Sequence, residues 1–132
     1  MSSALRITHG IMAALFTLSA LVQFNDPNPA PWITLYLAAA IAAGLTAARL
    51  VKPGMILAGL VLLICIASEI PYVQVQAWKT PFMDLTEEWH MTSEGIVDGR
   101  EFYALIWIGG WMAFALHSLR RYSISRRTSS DD

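Results

Sequence analysis

Charge is scarce in this sequence of 132 residues: 14% are charged, against 55% hydrophobic. A water-soluble domain carries roughly a quarter charged residues, so too little polar surface is present to cover a globular fold in water. Cysteine is nearly absent. The single Cys65 excludes an internal disulfide, a CxxC metal site and a c-type haem attachment, and in its apolar surroundings it reads as a small packing residue. Catalytic signatures are missing as well: there is no GxSxG, no HExxH and no glycine-rich phosphate loop. Ser68-Glu69, Ser93 and His90 offer no spacing that sets a nucleophile beside a base. The sequence therefore favours a non-enzymatic role.

Long apolar blocks are present instead, and the mean hydropathy is +0.48. Four spans can be drawn at about residues 5–24, 32–48, 54–72 and 101–119. At 1.5 Å per residue each covers roughly 26–30 Å, the thickness of a hydrocarbon core. Only helices fit, because an open sheet edge in lipid leaves backbone groups unpaired. The expected fold is all-α: an integral membrane four-helix bundle in one domain over residues 1–119, followed by a flexible polar tail over 120–132. Arg6 before an apolar run suggests a signal peptide, but Leu18-Ser19-Ala20 puts a bulky residue where cleavage wants a small one, so the first span reads as retained.

The joints fit this division. Val51-Lys52-Pro53-Gly54 reads as the breaker between the second and third spans. Asp98 reads as N-cap of the fourth, with Glu101 closing a capping box. Small residues at four-residue spacing (Ala39, Ala43, Ala47; Ala40, Gly44, Ala48; Gly10/Ala14; Gly109/Ala113) mark faces where helix backbones can approach closely in lipid.

Seven of the nine Lys and Arg residues (Arg6, Arg49, Lys52, Arg120, Arg121, Arg126, Arg127) fall on one side of these spans, and only Lys79 and Arg100 on the other. The positive-inside rule then puts both termini in the cytoplasm, in a plasma or inner membrane for a bacterial protein. Eight of the ten acids lie at the outer side, where Trp32, Tyr36, Tyr72, Trp78, Trp89, Tyr103 and Trp107 also group as headgroup-depth anchors. The outer loop between the third and fourth helices is the longest. Within it Asp84 to Met91 suggests a short interfacial helix, with Phe82, Leu85 and Trp89 at helical spacing. The tail arginines are placed to meet anionic headgroups. They flank a membrane span with no recognition fold behind them, so nucleic-acid binding is not implied.

One stretch breaks the apolar pattern most sharply. Gln23-Phe24-Asn25-Asp26-Pro27-Asn28-Pro29-Ala30-Pro31-Trp32 combines amides, a carboxylate and three prolines, with Tyr36 one turn on. The prolines force a turn there. Gln23, Asn25, Asp26, Pro27, Trp32 and Tyr36, at the end of a first apolar helix that carries Gly10-Ile11-Met12-Ala13-Ala14, resemble the signature of the transmembrane protein 220 family, and Gly99-Arg100-Glu101 is similar to that family's second motif. Asn28 stands where the family commonly has an acid. The resemblance covers most of the chain; it implies a four-helix membrane architecture and a site at this turn, and supplies no activity.

Gln23, Asn25, Asp26, Trp32, Tyr36, Glu69, Arg100 and Glu101 should converge at the outer end of the bundle. Acids in membrane spans normally face inward with a partner. Arg100 is the expected partner, bridging Asp26 and either Glu69 or Glu101. Two roles fit such a cluster. It can lock the helix ends of an accessory or scaffold subunit whose acidic outer loop meets a membrane protein partner. Alternatively, it can line a pocket for a small ligand or a divalent cation, in a transporter or an enzyme. Asp26, Glu69 and Glu101 are hard oxygen ligands suited to Ca²⁺ or Mg²⁺, and His90 with Glu94 at i, i+4 would move the choice toward Zn²⁺. His9 and His117, at similar depth near the cytoplasmic side, are the one pair a b-type haem could use. Near an interface such histidines serve more often as hydrogen-bonded polar residues, which disfavours haem. A transporter built from four spans without an internal repeat would need to oligomerise.

Overall fold

The protein is described by a computed structural model that covers residues 1–26, 28–74 and 94–129. Among the described residues the fold is all-helical: α1 (Ser3–Val22), a 3-10 turn (Gln23–Asn25), α2 (Pro29–Ala47), α3 (Val51–Gln74) and α4 (Glu94–Thr128). Each contains a stretch long and apolar enough to cross a membrane: Ser3–Asn25, Pro29–Ala47, Val51–Pro71 and Gly99–Thr128. The helices alternate in direction. Arg6 near the start of α1 reaches Ala47 at the end of α2, Gly54 near the start of α3 meets Leu119 of α4, and Trp32 early in α2 meets Glu101 early in α4.

Each helix turns one stripe inward, and the stripe follows the 3.6-residue period. In α1 the buried residues are His9, Met12, Phe16 and Ala20; in α4 they include Leu105, Ile108, Met112, Ala115 and Leu119. Helix α3 contributes Gly54, Ala58, Val61 and Cys65. Large side chains such as Ile7, Ile11, Leu18, Ile56, Leu63 and Ile66 point outward. In water that pattern would be a liability; in lipid it is the required surface, because the tails are as apolar as the side chains.

What holds the bundle is therefore close packing, and the small residues mark where it happens. Ala39, Ala40, Ala42 and Ala43 of α2 are all buried, which lets the neighbouring helices crowd this one. At Gly54 an added Cβ would fall 2.8 Å from Leu119 Cδ1, and at Gly109 it would fall 3.4 Å from Cys65 Cβ, so α3 and α4 approach through their glycines. Gly10 and Ala14, by contrast, are exposed, with open space around a Gly10 Cβ. That small pair faces outward and packs nothing within the described residues.

Three boundaries differ from the sequence expectation. The turn between α2 and α3 comes at Arg49, upstream of Val51–Gly54, because Pro53 sits in the first turn of α3 where it has no intrahelical hydrogen bond to lose. Helix α4 begins at Glu94, so Asp98 lies inside the helix and is not its N-cap. At its other end α4 continues past Leu119 to Thr128, through most of the segment expected as a flexible tail. There Thr128 Oγ1 donates to Ile124 O, and Arg126 and Arg127 in the last turn complement the helix dipole. The expected short helix over Asp84–Met91 lies outside the described residues.

Candidate site at the acidic end of the bundle

The proline-rich stretch folds as a tight passage from α1 into α2. The 3-10 turn over Gln23–Asn25 ends where Asp26 N–H donates to Gln23 O at 2.9 Å. Asp26 Oδ1 then accepts from the backbone N–H of Asn28 at 2.9 Å, an Asx turn that feeds Pro29 into the first position of α2. One oxygen of the carboxylate thus holds its own loop. Gln23 is half-buried and Asn25 exposed.

Two turns of α2 carry the aromatic part. Trp32 is half-buried and donates its indole Nε1–H to Glu101 Oε1 of α4 at 3.1 Å. Tyr36, one turn on, is buried with its ring among those of Phe16 (6.3 Å between centroids), Trp32 (6.4 Å) and Trp107 (6.4 Å). Phe16 packs on Trp107 at 4.9 Å. These rings join α1, α2 and α4 beneath the polar end, and such pairs contribute about 0.5–1.5 kcal/mol each beyond their area.

Between α2, α3 and α4 lies a half-open pocket of about 320 Å³, with exposed Asn28, Pro31 and Ile64 among its lining residues. Its polar lining is Asn28, Trp32, Ser68 and Glu101; Pro31, Leu35, Ile64 and Leu105 form its apolar side. The sequence reading named Trp32 and Glu101 but missed Ser68, Leu35, Ile64 and Leu105. A cavity between helices has no linear signature, although Ser68 beside Glu69 was a polar break worth following.

Glu69 does not join this hydrogen-bond network. Both of its carboxylate oxygens are buried without a hydrogen-bond partner among the described residues. The expected Arg100 bridge is therefore not made to Glu69, and Asp26 points back at its own backbone. Helix geometry explains this. With α4 already running from Glu94, consecutive residues are rotated by about 100°, so Arg100 leaves the helix on a different line from Glu101, which meets Trp32; Arg100 is half-buried and has an interaction of its own. On α3 the same rotation separates Ser68, which lines the cavity, from Glu69, one turn above buried Cys65.

No group of three or more His, Cys, Asp or Glu that could hold a metal occurs among the described residues; Asp26, Glu69 and Glu101 are not gathered into one. His90 and the Glu94 side chain lie outside them. At the arginine end, His9 and His117 do not form a facing pair. His9 is fully buried, its Nε2 hydrogen-bonded with Ser118 Oγ at 3.3 Å and its ring stacked on Phe114 at 5.3 Å, whereas His117 is exposed. His9 Nδ1 and Trp111 Nε1 are buried without a partner among the described residues.

Four apolar helices with a polar-rimmed cavity between three of them define a multi-pass integral membrane protein. A family model described as transmembrane family 220, helix, matches residues 15–117. The chain belongs to that family, as the Asn25-Asp26 turn and the Gly99-Arg100-Glu101 triplet suggested. No solved structure matches it.

Proposed function

We propose that the protein binds a small amphiphilic ligand in the cavity between α2, α3 and α4. One observation carries this reading. The half-open pocket of about 320 Å³ is lined both by hydrogen-bonding groups (Trp32, Glu101, Ser68, Asn28) and by aliphatic side chains one turn further along the helices (Leu35, Ile64, Leu105). That volume falls within the range of small-molecule sites, and a few polar groups on an apolar wall are how such sites orient a ligand. A ligand with a hydroxyl or amine head and a short hydrocarbon body meets both halves. The head would find the Glu101 carboxylate and the Ser68 hydroxyl. A divalent cation is supported less well, since the described residues gather no set of carboxylates. The charge distribution favours an orientation with the arginine end, and hence both termini, in the cytoplasm and the cavity at the outer face.

Purification in mild detergent from native membranes, followed by extraction and mass spectrometry, tests the proposal. A stoichiometric small amphiphile should accompany the wild-type protein and be lost in a variant that fills the cavity, Ser68→Leu. A protein that carries no small molecule, and instead holds a companion polypeptide equally in both forms, would return the site to the accessory-subunit reading. In that case the Trp32–Glu101 contact is a lock between helix ends.

A further inference from the structure

The arginine end carries a second arrangement, independent of the cavity. Helix α2 stops in a Schellman motif: Leu50 N–H donates to Leu45 O and Arg49 N–H to Thr46 O, both at 3.0 Å. The left-handed residue of that motif is ordinarily glycine, since a Cβ there crowds the backbone. Here it is Arg49 at φ 61°, the one non-glycine residue in that region among those described. A strained position held by a long cationic side chain directs attention to what the side chain does.

Its guanidinium reaches across to the N-terminus and to α4. Nη2 donates to Met1 O at 3.3 Å, and the group stands 5.5 Å from the centroid of the Tyr122 ring. Nε is buried with no hydrogen-bond partner among the described residues. Arg126 approaches the same ring at 6.0 Å. Two cations therefore share one ring and lie no further apart than the sum of those distances. A ring face is only a weak negative pole and does not cancel two full charges. Asp26, Glu69 and Glu101, the acids whose side chains are described, all belong to the opposite end of the bundle. The nearby Arg6 donates its Nε–H to Ala47 O at 3.0 Å and adds a further positive charge at this end. Among the described residues this leaves a net positive seat with a donor that has no partner there, and its natural occupant is a compact anion bearing several acceptor oxygens.

The depth of the seat selects among such anions. Arg49 lies just past the end of the apolar span Pro29–Ala47, and Tyr122 and Arg126 lie beyond Leu119, the last buried apolar residue of α4. Leu50 and Ile124 stand exposed at the same level. This is where headgroups meet acyl chains. We infer that Arg49, Tyr122 and Arg126 seat the phosphodiester of an anionic lipid, with its chains running down the outside of the bundle.

The full chain in detergent is titrated with dioctanoyl phosphatidylglycerol, dioctanoyl phosphatidylcholine or inorganic phosphate, and binding is read from thermal unfolding. Phosphatidylglycerol should bind at least fivefold more tightly than phosphatidylcholine. Arg126→Gln, on an exposed turn where folding is not at stake, should weaken it about fivefold, as expected for one basic residue at a membrane surface. Arg49→Gln with Arg126→Gln should erase the headgroup preference. Arg120→Gln removes the same charge about 200° round α4 from Tyr122 and should leave the preference intact. The inference is overturned if Arg120→Gln costs as much as Arg126→Gln, which indicates a diffuse field. Equal binding of the two lipids overturns it too, as does an equal response to inorganic phosphate, which removes the lipid.

Discussion

The Trp32–Glu101 hydrogen bond is the contact most open to quantitative test. It joins α2 to α4 at the cavity, at 3.1 Å and only partly buried. In a soluble protein a bond to a charged acceptor contributes about 1.5–3 kcal/mol. Interhelical polar contacts in membranes average about 0.6 kcal/mol, with a maximum near 1.7, because the unfolded chain in lipid also finds partners. The charge on Glu101 raises the value and the long, half-exposed geometry lowers it, so about 1 kcal/mol is expected, or roughly a fivefold change in an equilibrium constant. Glu101 has further interactions, so a single substitution mixes several losses. A double-mutant cycle removes that problem. Trp32→Phe deletes the donor and keeps a ring, and Glu101→Met deletes the acceptor at similar length. Unfolding of both singles and the double in mixed micelles should give a coupling near 1 kcal/mol, and Glu101→Gln, which keeps a neutral acceptor, about half of that. A coupling within about 0.3 kcal/mol of zero, the usual scatter for independent sites, would refute the claim that this bond closes α2 on α4.

Other outcomes follow from the same geometry. Gly54→Val should cost about 1–3 kcal/mol by overpacking against Leu119, whereas Gly10→Val should change stability by less than about 0.5 kcal/mol; unfolding in mixed micelles compares them. Glu69→Gln should stabilise the isolated protein at neutral pH by about 1 kcal/mol or more, since it replaces a carboxylate whose buried oxygens have no partner among the described residues. Destabilisation would instead reveal a partner supplied by residues outside those described. For topology, Ser125→Cys should react with a membrane-impermeant thiol reagent only after intact cells are opened, with buried Cys65 as the unreactive background. Labelling of closed cells would invert the orientation.

Much of the fold is legible residue by residue. A 3.6-residue recurrence such as His9, Met12, Phe16, Ala20 is a property of one helix, so it survives whatever the helix packs against. The apolar blocks and the proline-rich turn at Asp26 are likewise local. Boundaries were less legible where two local signals compete. Pro53 looks like a breaker until it falls in a first turn, and the arginines after Leu119 look like a tail until α4 carries them onward.

The linear order of residues was enough to define the class, four membrane-crossing helices with a polar turn at one end, because hydropathy and helical period act within a single segment. It also determined which residue types were collected near that turn. Which of them meet depends on how the helices pack. A rotation of about 100° between neighbours on a helix puts Glu101 against Trp32; it puts Ser68 on the pocket and leaves the Glu69 oxygens without a partner among the described residues. That rotation is set by how the alanines of α2 and the glycines of α3 and α4 let the backbones close up, a sum over contacts distant in the chain.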